Sequence, residues 1–529
     1  MGRFNHSSTQ CSYPALINAT ADQLRDGLDK GCFTSVDLVN VYTSRIHEVN
    51  STLHMVLEIN PDALDIAKRL DREREGGNVR GPLHGLPVLV KDMIGTQDQM
   101  QTSAGSYALL NAKVPADATV VAKLREHGMV VLGKTSMSEW ANMRSNISSG
   151  GWNPRGGSTY AAYYNEQDPS GSSSGSGVAT DLGLALAALG TETDGSIISP
   201  SEKNNIVGIK PTVGLTSRYM VIPVSEHQDT IGPMARTVKD AAMLLQAIAG
   251  PDPKDNYTLS SPFGSQVPDY VAACRLSGLQ GKRLGVPQNV LDTVSNASHP
   301  VVTRFKEALS ILQGAGATIV PETNFTSWDE YQTSDLPPSV VAADFSIGLA
   351  RYLSSLSTNP NNIHNLEELR HYTRQDPREE YPTRDTGLWD LMISFGLNNT
   401  SPLFWPIYQA NLRLGGERGL LGALSQNHLD AVILPTMVAS SFPAILGSPV
   451  VTVPLGAYPD GTPIVRNTFG DLTQVAPGIP FGIGFLGPKW SEEALIGMAY
   501  AFEQRTHVRE TLDRHYPEPE TELEDMRGV

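Results

Sequence analysis

The chain is short of cysteine, of positive charge and of long apolar runs, and each shortage excludes something. Cys11, Cys32 and Cys274 are the only cysteines among 529 residues. They lie far apart and form no C-x-x-C pair, so neither a zinc site nor a disulfide framework is indicated, and a reducing, cytoplasmic setting fits. Lys and Arg number 40 against 56 Asp and Glu, a net charge of −16. No basic patch stands out for a nucleic acid or an anionic membrane, whose phosphates require one. No stretch approaches the ~18 consecutive apolar residues of a membrane span. The polar start MGRFNHSSTQ has neither the charged nor the apolar region of a secretory leader. Against a cytoplasmic reading stand N-x-[ST] sequons at Asn5, Asn18, Asn50, Asn146, Asn256, Asn296, Asn324, Asn398 and Asn399, which a secreted chain would present.

What is present is a composition of 40% hydrophobic and 18% charged residues, with 48 Gly and 36 Pro spread along the chain. That favours one large enzyme domain over the three that a length of 529 would suggest at ~150 residues each. Strand-length and helix-length apolar segments alternate. Helices are expected from Thr34, where Thr34-x-x-Asp37 forms a capping box, over Pro61–Glu75, Thr119–His127, Val178–Leu189, Val238–Ile248, Val301–Leu312 and Glu492–Glu503. Strands are expected at Gly85–Val90, Met129–Leu132, Ile206–Ile209, Arg283–Val286, Ala317–Val320, Ala431–Leu434, Val450–Val453 and Phe481–Leu486.

The rhythm predicts an α/β fold in a single domain over 1–529. Within it, 1–80 is an N-terminal helical region, 81–250 the catalytic core, 251–430 a mixed capping region and 431–510 the strands and helix that complete the sheet.

Three features carry chemistry. Lys91 ends the apolar run Val88-Leu89-Val90; Ser172 sits in Ser170-Gly171-Ser172-Ser173-Ser174-Gly175; Ser196, 24 residues later, sits in Thr193-Asp194-Gly195-Ser196. A serine hydroxyl needs a base and an oxyanion site. An amine works as that base near neutral pH when burial lowers its pKa from ~10.4. Lys91 fits that requirement, Ser172 can bridge Lys91 to Ser196, and the backbone N–H groups of Thr193, Asp194, Gly195 and Ser196 can converge on an oxyanion. The bland alternative for Lys91 is a salt bridge to the adjacent Asp92, and for the Ser/Gly tracts a flexible linker.

Other motifs fail. Gly171-Ser172-Ser173-Ser174-Gly175 matches G-x-S-x-G but lacks the preceding strand, no Lys follows Gly171 or Gly175 as a P-loop at these glycines would require, and no Lys has a Ser three residues before it. His84, His127 and His227 read as surface or satisfied histidines.

These residues resemble the amidase signature family. The resemblance runs from Gly85-Leu86-Pro87-Val88-Leu89-Val90-Lys91-Asp92, through Gly133-Lys134-Thr135-Ser136-Met137-Ser138-Glu139-Trp140-Ala141, to Ser172, Ser196 and Gly208-Ile209-Lys210-Pro211-Thr212-Val213-Gly214. It implies a central mixed, twisted sheet covered by helices on both faces, Lys91 as base, Ser172 as a relay in a cis peptide, Ser196 as the acyl-forming nucleophile and Thr193 to Ser196 as the oxyanion hole, with no metal or organic cofactor. Gly-Thr-Glu-Thr-Asp-Gly-Ser-Ile at 190–197, with Gln228-Asp229-Thr230 and Gly232-Pro233-Met234-Ala235-Arg236-Thr237, is most similar to peptide amidases and their plant and fungal relatives.

The chain departs from the commoner pattern at Asp194, often Gly, and at Ile198, often Arg; an uncharged amide end suits the missing arginine. The expected substrate is a small-molecule or peptide amide, the expected state a monomer or homodimer. The rival readings are acyl transfer from the same Ser196 and a silent or partner-dependent subunit. The aromatic loop Trp152 to Tyr164 and the insertion Val465 to Gly478 are candidate pocket walls.

Overall fold

The computed structural model describes residues 11–526; the sequon at Asn5 lies outside them. Eleven strands form one sheet. In chain order they are β1 Val56–Ile59, β2 Pro87–Lys91, β3 Val130–Thr135, β4 Ala187–Glu192, β5 Val207–Lys210, β6 Thr230–Ala235, β7 Arg283–Val286, β8 Thr318–Pro321, β9 Ala431–Pro435, β10 Val450–Ala457 and β11 Pro480–Leu486. Their spatial order is β1-β3-β2-β4-β6-β5-β10-β11-β9-β7-β8. β2 runs parallel to both β3 and β4, the pairs from β4 to β9 are antiparallel, and β9-β7-β8 is parallel again. The sheet is therefore mixed, as expected for this α/β fold.

Local sequence explains most elements. Thr34 and Asp37 close the expected capping box on helix Ser35–Leu53, each side chain accepting the other's backbone N–H, an arrangement worth ~1 kcal/mol. Helix Ala63–Glu75 ends at Gly76 with Arg72 and Arg74 in its last turn, where cations suit the helix dipole. β2 and β3 are buried along their whole length, as central strands flanked on both sides must be. Helix Val238–Ile248 packs on β5 and β6, and helices His299–Gly314 and Glu492–Thr506 on β10. Helices Leu336–Ser355, Leu366–Gln375 and Gly387–Phe395 lie between β8 and β9 in the chain and pack against one another.

Three expectations need correction. Val178–Leu189 is not one helix: helix Ser174–Asp181 stops, and the second half of the run becomes β4. Gly183 makes the break, with φ +60° and a backbone so close to Leu16 that a Cβ would stand 2.4 Å from the Leu16 carbonyl oxygen. Both halves are buried on every side, so no periodicity distinguishes them. β1 and β6 are additional to the expected strands: the first is short, and the second contains Pro233 and follows the polar Gln228-Asp229. Finally, Cys11 and Cys32 are joined as a disulfide and only Cys274 is free. A separation of 21 residues conceals a pair that the fold of the N-terminal segment brings together. Among the described residues no helix is long and apolar enough to cross a membrane.

Candidate active site

β2 and β4 are adjacent and parallel, with Val90 opposite Leu189. Their C-terminal ends therefore deliver Lys91 and Thr191 to one edge of the sheet, the edge where open α/β sheets hold ligands. Two short helices begin there as well, Ser174–Asp181 two residues after Ser172 and Ile198–Lys203 two residues after Ser196. The Gly171–Ser172 peptide is cis.

Lys91 is fully buried, and its Nζ meets three oxygens: Ser172 Oγ at 2.7 Å, Thr191 Oγ1 at 2.8 Å and the Thr191 carbonyl at 3.2 Å. No carboxylate touches it. The Asp92 carboxylate turns elsewhere, accepting from the Ser103 hydroxyl at 2.6 Å and the Gly105 N–H at 2.9 Å, since consecutive extended residues face opposite sides. The salt-bridge alternative for Lys91 is thus removed. Desolvation lowers the amine to about 7, against the smaller opposing pull of Asp229 and Glu192. A neutral amine has two N–H groups and one lone pair. Thr191 supplies two acceptors for the former, leaving the lone pair for the Ser172 O–H.

A depressed amine alone does not mark the site. Lys134 and Lys210 are also buried and lowered to about 8 by desolvation, but they donate to the Ile94 carbonyl and Thr102, and to the Ser448 carbonyl, with no serine of the Gly/Ser turns in reach. Position beside Ser172 distinguishes Lys91.

The two serine turns are laced by backbone. The Ser173 N–H donates to the Ser196 carbonyl at 3.1 Å, and the Ser173 hydroxyl donates to the Thr191 carbonyl at 3.1 Å. Ser196 is 8% exposed, whereas Ser172 and Lys91 are at 0%, so Ser196 is the member of the trio that solvent reaches. The hydrogen bonds of Lys91 end at Ser172 and Thr191 and do not extend to Ser196 Oγ. The structure joins Lys91 to Ser172 by side chains and Ser196 to this pair through the backbone.

Glu192, which sequence reasoning does not single out, shapes the turn that carries Ser196. Its buried carboxylate accepts the N–H groups of Gly195 at 3.0 Å, Ile197 at 2.7 Å and Ile198 at 3.0 Å. This corrects the expected oxyanion set, because the Gly195 N–H serves the turn. Gly195 contributes its conformation instead, with φ +79°. Asp194 is exposed. Asp229 braces the other side: it accepts the Thr193 hydroxyl at 2.6 Å and the N–H groups of Val224 and Ser225 at 2.7 and 3.0 Å, while desolvation raises its carboxyl to about 6. The signal for Glu192 is its place three residues before Gly195, inside the same short motif as Ser196.

A cleft of about 360 Å³ adjoins this edge, bordered by Met93, Thr191, Thr193 and Asp229 and walled by Met220–Val224 and Tyr352. The expected walls lie elsewhere. Trp152 is stacked against the guanidinium groups of Arg144 and Arg384, and Tyr163 donates its buried hydroxyl to Asp181 at 2.9 Å; none of the cleft-lining residues falls within 152–164 or 465–478. The three histidines have partners as expected: His84 at the Leu70 carbonyl, His127 at the Lys123 carbonyl and His227 at Asp344. Glu226, His227 and Asp344 bring ligand-type atoms within 4.8 Å of one another, but Arg351, Ser225 and Asn399 already engage them.

The family model described as Amidase matches residues 37–496. A protein of Arthroderma benhamiae named "Putative amidase" is 54% identical over 98% of this chain and 90% of its own length. A glutamyl-tRNA(Gln) amidotransferase subunit of Salinispora tropica is 32% identical over 92% and 97%. Among solved structures, the native peptide amidase of Stenotrophomonas maltophilia is 36% identical, covers 98% of this chain and 100% of its own, and superposes with a TM-score of 0.83. Likeness of this extent makes the chain a member of the amidase signature family, whose enzymes hydrolyse the carbon–nitrogen bond of amides.

Proposed function

We propose that this chain cleaves a carboxamide through an acyl-Ser196 intermediate, with Lys91 as base and Ser172 as relay. The observation that carries the reading is the contact of Lys91 Nζ with Ser172 Oγ at 2.7 Å, made by a buried amine lowered to about 7. Ser172 passes its proton to the Lys91 lone pair and takes one from Ser196, whose oxygen attacks the carbonyl carbon. This relay requires the Ser196 hydroxyl to turn toward Ser172, and the bond from the Ser173 N–H to the Ser196 carbonyl at 3.1 Å supports it by tying the two turns together. The oxyanion faces N–H groups of the Thr193–Ser196 turn, with Asp194 and Ser196 as donors and the Gly195 N–H retained by Glu192. The protonated Lys91 returns its proton through Ser172 to the departing ammonia or amine. Water then releases the acid.

The substrate we favour is a peptide bearing a C-terminal carboxamide, or another small amide. Likeness to a peptide amidase supports it, as does Ile198 where an arginine would anchor a carboxylate. The apolar cleft beside Thr191 and Thr193 would seat the groups flanking the amide. A second reading, in which acyl-Ser196 is delivered to an amine, rests on likeness to an amidotransferase component. Intact-mass measurement during turnover of a peptide amide, with and without hydroxylamine, tests both. Acylation at Ser196 and ammonia release by the purified chain support hydrolysis. Full turnover by Ser196→Ala overturns the mechanism, and acylation followed by delivery to hydroxylamine with no acid formed supports transfer.

A further inference from the structure

We propose that the chain is an N-glycoprotein whose glycan acceptors are Asn18, Asn146, Asn256, Asn296 and Asn324. Two independent observations carry this. The first is the Cys11–Cys32 disulfide. Compartments that oxidise thiols are also those in which N-x-[ST] asparagines receive glycans. The second is how the fold sorts the sequons. All five are exposed, and among the described residues none has its Nδ2 engaged; Asn324 uses only its Oδ1, which accepts the Asn289 N–H.

Two other sequons are spent on structure. Asn50 donates Nδ2 to the Val56 carbonyl at 2.9 Å and accepts the Val56 N–H at 2.8 Å, closing the turn into β1. Asn399 spends both Nδ2 hydrogens, on Glu226 and Asp344, each at 2.9 Å. A glycan replaces one of those hydrogens and brings bulk to a half-buried position, so the fold accommodates it at the five and resists it at these two.

The modification forms a C–N bond from the asparagine amide nitrogen to the anomeric carbon of an oligosaccharide carried on a polyprenyl diphosphate. The sugar–phosphate C–O bond breaks, the lipid diphosphate leaves with the electron pair, and the amide proton passes to base. Asn256 borders the cleft beside the active site, so its glycan would stand at the entrance.

Protein isolated from the organism that makes it decides the matter. Thiols are alkylated under denaturing conditions before any reduction, and the digest is treated with peptide-N-glycosidase in oxygen-18 water, which turns each occupied asparagine into a heavy aspartate. Heavy aspartate at three or more of the five, with none at Asn50 or Asn399 and with Cys274 the only alkylated cysteine, is the expected result. Label at two or fewer of the five, label at Asn50 or Asn399, or alkylation of all three cysteines overturns the proposal. None of these outcomes depends on the amidase mechanism.

Discussion

Lys91 Nζ and Ser172 Oγ lie 2.7 Å apart with no carboxylate in contact with the amine. The usual fate of a buried lysine is an ion pair, which would hold it protonated. Here two hydroxyls and a carbonyl replace the acid, and the amine is free to accept a proton near neutral pH.

Replacing Lys91 by methionine should separate catalysis from folding. Turnover is expected to fall by roughly 10²–10⁴, the usual worth of a general base, while thermal stability rises. The amine titrates near 7 in the folded state, below its ordinary 10.5. The folded state therefore resists protonation, and the stability deficit is complete below pH 7 and shrinks as pH climbs toward 10.5. The gain in melting temperature for Lys91→Met should be largest below pH 7. A melting temperature unchanged at every pH would show that the amine is not desolvated.

The pH profile of kcat/KM should rise through an acid limb at about 7, the value for Lys91. Asp229 opposes the lowering of that amine, so Asp229→Asn should move the limb to lower pH. A limb that stays in place would exclude Lys91 as the titrating group.

Glu192 holds three N–H groups. Glu192→Ala leaves them buried without acceptors and should cost about 3 kcal/mol or more in a denaturation midpoint, at ~1–3 kcal/mol for each unsatisfied group. Glu192→Gln, which keeps one acceptor oxygen, should fall between. Turnover should drop with both, because the Ser196 turn loses its shape.

At Gly195 the backbone has φ +79°, and an added Cβ would stand 2.9 Å from Ser199 Oγ. Gly195→Ala is expected to lower kcat with little change in KM and to destabilise by ~1–2 kcal/mol. Steady-state kinetics on a peptide amide with parallel calorimetry check both.

Much of this site is legible in the sequence because its parts sit in short motifs. Lys91 at the end of Val88-Leu89-Val90 reads as a buried amine directly, since a continuous apolar run implies a strand covered on both faces. The two Gly/Ser-rich turns single out Ser172 and Ser196 as candidates, and the family resemblance adds their expected roles. Elsewhere local pattern fails for identifiable reasons. Between Val178 and Leu189 every residue is buried, so helix and strand share one apolar signature and Gly183 alone divides them. Aromatic residues in a loop look like a binding surface, whereas Trp152 and Tyr163 pack against Arg144, Arg384 and Asp181 and leave the pocket walls to other segments.

From its own residues, then, the chain determined an alternating α/β order, the capping box at Thr34 and the candidacy of Lys91, Ser172 and Ser196, because each depends on neighbours within a few positions. Tertiary structure decided the rest: that Lys91 faces Thr191 and Ser172 while Asp92 turns away, that Glu192 takes the Gly195 N–H, and that Cys11 meets Cys32. Those outcomes depend on which segments the sheet and its connections bring together, and the distances involved are set by packing across the whole domain.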